Sequence, residues 1–160
     1  MKFRRLFVVL YAIAATQLLS AEIVFGMGSS SDTPKAEKPM DPAFAAGKQF
    51  IDQKNWAGAV QSFSSVVKTD NQNADAYNYL GFANRQLGKM DDAFDAYGKA
   101  LAINPNHKGA NEYVGEAYLK IGNLLKAEAH LARLDDVCTF GCAEYTLLKR
   151  AVADYREKHS

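Results

Sequence analysis

The chain has 160 residues, 48% hydrophobic and 23% charged, with 19 Lys and Arg against 18 Asp and Glu for a net charge of +1. That length corresponds to one domain and is enough to bury a real core. The even balance excludes the strongly basic face of a nucleic-acid binder, and three His with two Cys leave little for a metal site of nitrogen and sulfur ligands.

The charge is unevenly spread. Residues 1–5 carry Lys2, Arg4 and Arg5 with no acid, and residues 6–19 are apolar apart from Tyr11, Thr16 and Gln17. A basic start followed by a short apolar run is the pattern of a secretory signal. The apolar residues lie on all sides, so a buried amphipathic helix is a poor reading of the same stretch. Residues 1–28 are therefore expected to be a signal peptide or an N-terminal membrane anchor. Ala21, Gly26 and Gly28 offer small-residue cleavage ends, and residues 6–25, if uncleaved, could span a bilayer despite Glu22. No Cys follows the apolar run, which excludes lipoprotein attachment. Either way the remainder is expected to be exported, periplasmic or secreted, with 16 basic and 17 acidic residues left. Residues 29–39, SSSDTPKAEKP, lack any large apolar side chain and read as a flexible linker.

From residue 40 the chain repeats. Residues 74–107 form a 34-residue unit with Tyr77, Leu80, Gly81, Ala93, Tyr97, Ala100 and Pro105 at positions 4, 7, 8, 20, 24, 27 and 32. This pattern resembles the tetratricopeptide repeat. Looser copies cover residues 40–73, with Gly47, Phe50, Ala59 and Phe63 in register, and 108–141, with Val114, Gly115, Tyr118, Ala127 and Leu131. Hydrophobic spacing within the middle unit independently predicts two amphipathic helices, over about 75–87 and 91–103, split by Gly88-Lys89. Gly81 and Ala93 are expected where the two helices approach closely. Asp91 is expected to supply an acceptor and a negative charge at the start of the second helix, and Asn104-Pro105 to end it. Residues 142–158, with Tyr145, Leu148, Val152 and Tyr155 at helical spacing, read as a helix capping the open end of the array. The expected fold is all-α: a solenoid of three helix-turn-helix repeats plus a C-terminal capping helix.

The resemblance implies a concave groove lined by the first helix of each repeat. It places Phe44, Lys48 and Ile51 there, flanked by Asp41 and Asp52. The second repeat contributes Asn78, Phe82 and Arg85, with Asp75 and Gln86. The third contributes Glu112, Glu116, Leu119 and Lys120, with Gly109. Phe82 and Leu119 are expected as apolar anchors, with Lys48, Arg85, Glu112 and Glu116 setting orientation. The alternative for the large apolar members is packing against the next helix. A subclass of the family captures a peptide C-terminal carboxylate with Lys and Asn at set positions. Lys48 matches, but Tyr79, Gly109 and Tyr113 replace the other residues, so that reading fails.

Cys138 and Cys142 lie at the junction of the third repeat and the cap. In an exported chain they are expected to form a disulfide closing a loop of about five residues, contributing ~2 kcal/mol, with Gly141 allowing the bend. Free buried thiols and a redox role are the alternatives. His107, His130 and His159 do not suggest a cluster and read as surface residues; Tyr77, Tyr97, Tyr113 and Tyr118 read as core. No phosphate loop, nucleophile elbow or zinc-protease motif occurs. The expectation is a non-catalytic envelope module, without cofactor, that docks a protein or peptide partner. The alternatives are a scaffold subunit using its convex face or self-association, and a thiol-redox accessory.

Overall fold

The computed structural model describes residues 41–160. The leader and linker expected over residues 1–39 lie outside the described residues. Among those described there are seven helices and no strand: α1 (Pro42–Asp52), α2 (Trp56–Thr69), α3 (Ala74–Gln86), α4 (Met90–Ile103), α5 (Lys108–Lys120), α6 (Leu124–Val137) and α7 (Ala143–His159). They form the expected all-α solenoid. None is long and apolar enough to cross a membrane.

Small residues set the pairing inside each repeat. A β-carbon on Gly47 would meet the Phe63 ring at 2.7 Å, and one on Gly81 would meet Tyr97 at 2.6 Å. Each glycine thus lets a fully buried aromatic of the second helix press directly against the first helix. In the third repeat the corresponding Gly115 faces Leu148 of α7 instead. The cap helix therefore packs on α5 as well as on α6, closing a cluster of Leu119, Leu134, Leu148 and Val152.

The turns repeat too. Lys54, Gly88 and Gly122, each 34 residues from the next, adopt positive φ between the two helices of their repeats. The next residue caps the second helix through Asn55 and Asn123, which accept from Gly58 N and Lys126 N. The middle repeat departs from the sequence expectation here. Its helix begins at Met90, the cap position is Lys89, and no side chain caps it. Asp91 sits inside the first turn, where its charge still favours the helix dipole but its carboxylate accepts no capping bond. Asn104, with extended backbone before Pro105, ends α4 as expected.

Every close helix pair involves a next or next-but-one neighbour along the chain. The odd-numbered helices stand side by side, joined by Lys48–Tyr79 between α1 and α3 and by Arg85–Glu116 between α3 and α5.

Candidate functional site

The face made by α1, α3, α5 and α7 carries the residues that sequence reasoning assigned to a groove. Its α1–α3 end is aromatic. Phe44 packs edge-on against Phe63 at 5.4 Å and Tyr79 at 5.8 Å, and Phe63 stacks on Tyr79 at 5.3 Å. Lys48 Nζ donates to Tyr79 Oη at 2.8 Å and lies 4.3 Å from that ring's centre. Phe44 and Ile51 are only half-buried, but both pack on the Phe63 cluster rather than standing free as groove residues.

Phe82 is the half-buried aromatic of the middle stretch, 5.8 Å from Trp56 and 4.9 Å from Tyr113. Trp56 opens α2, a second helix of its repeat, and repeat position alone assigns such residues away from the groove. Arg85 spans the same rings, 5.5 Å from Phe82 and 5.6 Å from Tyr113, and its Nη1 pairs with Glu116 at 2.7 Å. Tyr113, expected in the core, is half-buried beside this pair, and burial pushes its phenol up to about 12.

Three residues expected on an accessible face are buried. Leu119 is 9% exposed and belongs to the cluster beneath α7, so it is unavailable as a free anchor. Asn78 is 4% exposed and Glu112 5% exposed. The reason lies in their neighbours: α3 and α5 stand close enough that Asn78 Nδ2 is 3.0 Å from where a β-carbon on Gly109 would sit. Glu112 lies one turn further along α5 and has Glu144 of α7 for a neighbour. Desolvation raises its carboxyl to about 7, the charges of Glu116 and Glu144 push the same way, and Arg85 opposes them. Lys120 is exposed.

Two recesses flank Glu112. One, of about 620 Å³, is lined by Asp75, His107, Gly109 and Glu144 among others. The other, of about 380 Å³, is lined by Arg85, Glu116, Leu119, Lys120, Asp154 and Tyr155 among others. Gly109 and Glu116, three residues before and four after Glu112, put one recess on either side of it along the same helix face.

The histidines do more than the sequence suggested. His107 Nδ1 accepts from Ala110 N and caps α5, while Nε2 meets Asp75 Oδ1 at 3.0 Å, tying two repeats together. A histidine cap lies outside the usual Ser, Thr, Asp and Asn signal, which is why it was missed. His130 stacks on Tyr118 and pairs with Asn111 Oδ1 at 2.9 Å; burial lowers its pKa.

Cys138 and Cys142 form a disulfide with a Cα–Cα separation of 5.6 Å, at the C-cap of α6 and the N-cap of α7. Gly141 takes φ +82° in the bend. Cys142 Sγ also accepts from Tyr145 N at 3.4 Å, so the same residue closes the loop and starts the cap helix.

A tetratricopeptide repeat family model matches residues 74–107, and a second TPR repeat model matches 47–88. Among curated proteins, a probable UDP-N-acetylglucosamine–peptide N-acetylglucosaminyltransferase SPINDLY of Hordeum vulgare is 32% identical over 68 residues. That match covers 42% of this chain but only 7% of the longer protein. Among solved structures, the Arabidopsis OM64 TPR domain superposes with a TM-score of 0.65 at 20% identity, covering 72% of this chain and 93% of that one. The TPR2B domain of yeast Sti1, in its complex with pHsp70, gives 0.65 at 18% identity, covering 72% and 94%.

Proposed function

The chain belongs to the tetratricopeptide repeat family, and we propose that it is a non-catalytic docking module that holds a peptide or protein segment against the face of α1, α3, α5 and α7. The observation that carries this reading is the pair of recesses along that face with the half-buried Phe82–Tyr113 pair beside them. A concave surface that combines half-buried aromatics with convergent polar groups is where a bound segment can lose water and still pair its own polar groups. The complex of the similar Sti1 domain with pHsp70 supports the same use of the fold.

The reading differs from the sequence expectation in its anchors. Phe82 remains; Leu119 gives way to Tyr113. Arg85 and Glu116 satisfy each other at 2.7 Å, so they shape the floor before any partner arrives.

We place the protein in the cell envelope, secreted or tethered through residues 6–25. The support is the basic-then-apolar leader, together with a disulfide of the kind that persists in oxidising compartments. N-terminal sequencing of the protein recovered from a periplasmic fraction tests this, and recovery from the cytosol with free thiols overturns it.

For docking itself, a photo-crosslinking residue at position 82 is compared in intact cells with one at position 99, on exposed α4 surface. Adducts that form at 82, fail at 99 and disappear on adding Arg85→Glu support the groove. Adducts at 99 alone favour the scaffold reading, with the outer face as the working surface.

A further inference from the structure

The groove floor holds two buried polar groups that nothing in the fold satisfies. Asn78 is 4% exposed, and its Oδ1 has no hydrogen-bond partner. Glu112 is 5% exposed, no hydrogen bond or ion pair among the described residues reaches its carboxylate, and its oxygens keep a narrow contact with solvent. Groups this buried are ordinarily paired, because an unmet acceptor keeps its full desolvation cost. The two lie on facing helices: the Asn78 amide crosses α5 at Gly109, one turn before Glu112.

The charge around Glu112 is mostly negative, although Arg85 Nε and Tyr97 Oη are also buried without partners. Glu116 stands one turn along α5, Glu144 comes from α7, Arg85 from α3, and the Tyr113 phenol adjoins it. Arg85 is the cation in that set, and its Nη1 is already spent on Glu116. Lys48, another basic residue of the face, is held by Tyr79. Three carboxylates therefore share one guanidinium, and the carboxylate in the middle has no partner.

We propose that Glu112, with the Asn78 amide beside it, is the receptor for a cationic side chain of the docked partner: a Lys ammonium or Arg guanidinium carried beside an apolar residue. This rests on the docking reading above and adds the chemistry of what docks. An ammonium brings up to three donors and a positive charge to a place where the Glu112, Glu116 and Glu144 carboxylates outnumber the Arg85 guanidinium and the Asn78 Oδ1 has no donor. Of the two recesses, the one lined by Leu119, Ala151 and Tyr155 receives an apolar neighbour of that cation, while the polar one lined by Asp75, His107 and Glu144 receives backbone or polar groups. The recognised charge is opposite in sign to a peptide C-terminal carboxylate, in keeping with Gly109 and Tyr113 standing where the carboxylate-binding subclass has basic residues.

The test uses the full chain and short acetylated, amidated peptides in which leucines flank a central Lys, norleucine or Glu, read by fluorescence anisotropy. Wild type is expected to bind the Lys peptide at least about tenfold more tightly than the norleucine peptide, and the Glu peptide least. Glu112→Gln should bring the Lys peptide down to the norleucine level and leave the norleucine peptide unchanged. Glu144→Gln, at the rim, should cost the Lys peptide about two- to threefold. Lowering the pH through about 7 should erase the Lys preference as Glu112 takes up a proton. A Lys preference that survives Glu112→Gln, or a preference for the Glu peptide, overturns the cation receptor while docking stands. Failure of all three peptides to bind overturns the docking reading, and the receptor with it. Glu112→Gln is expected to fold, since it removes a buried charge, and a thermal melt beside each titration confirms it.

Discussion

The α1–α3 seam and the α5–α7 seam belong to one face but are built on opposite plans. In the first, Phe44, Phe63 and Tyr79 interlock and Lys48 is committed to Tyr79, so aromatic area and polar groups alike are used up internally. In the second, Glu112 has no hydrogen-bond or ion-pair partner and Glu144 of α7 adds like charge beside it, while Asn78 faces this seam from α3 with its Oδ1 unpaired. A seam that satisfies itself contributes stability. One that leaves acceptors bare forgoes stability at a place another molecule can complete. The contrast sets an end of the face that satisfies its own polar groups against one that packs a core under α7 yet leaves Glu112 without a partner.

Substitutions at the two ends should therefore act in opposite directions. The largest effect is expected at Tyr79→Ala, which empties a site bounded by Phe44 and Phe63 and should cost ~3 kcal/mol in urea unfolding. A loss below 1 kcal/mol would mean the aromatic seam is not the structural end. Next comes the double change Cys138→Ala with Cys142→Ala, expected to cost ~2 kcal/mol and to speed hydrogen exchange in α7 before other helices. Uniform loss of protection along the chain would argue against an anchoring role for the bond.

His107→Ala removes the α5 cap and the Asp75 contact and should cost about 1 kcal/mol by thermal melt. Lys89→Asn should gain about as much, because it supplies the cap that Asn55 and Asn123 give the other two repeats.

The smallest expected change is a gain from Glu112→Gln. Its folded pKa is raised above the usual carboxylate value, so the folded state favours the protonated acid. That contribution is fully present below the ordinary value of 4.5 and is lost as pH rises through about 7. The substitution should thus stabilise by roughly 0.5–1 kcal/mol at pH 8, after allowance for screening in an open groove, and by almost nothing at pH 4. Destabilisation at pH 8 would place Glu112 in the structural class and erase the contrast.

The repeat architecture was legible because Gly81, Tyr97 and their periodic counterparts report a backbone approach that only one pairing of helices produces. The groove was legible as a face but not as a depth. Repeat position shows which way Asn78, Glu112 and Leu119 point; it does not show how closely α3 and α5 approach at Gly109, or that α7 covers Leu119. Lys89 and Asp91 show a related limit. An acid near a helix start reads as a cap, yet a one-residue earlier start moves it into the first turn, where only its charge matters.

Because each helix closes only on its next or next-but-one neighbours along the chain, no part of the described fold waits for a distant segment before it can form. Such local wiring keeps the entropy of loop closure small at every step and favours fast folding that can start at any repeat. Each repeat can begin to form as soon as its own two helices are available. The last bond to close, between Cys138 and Cys142, joins residues four apart and needs no long search.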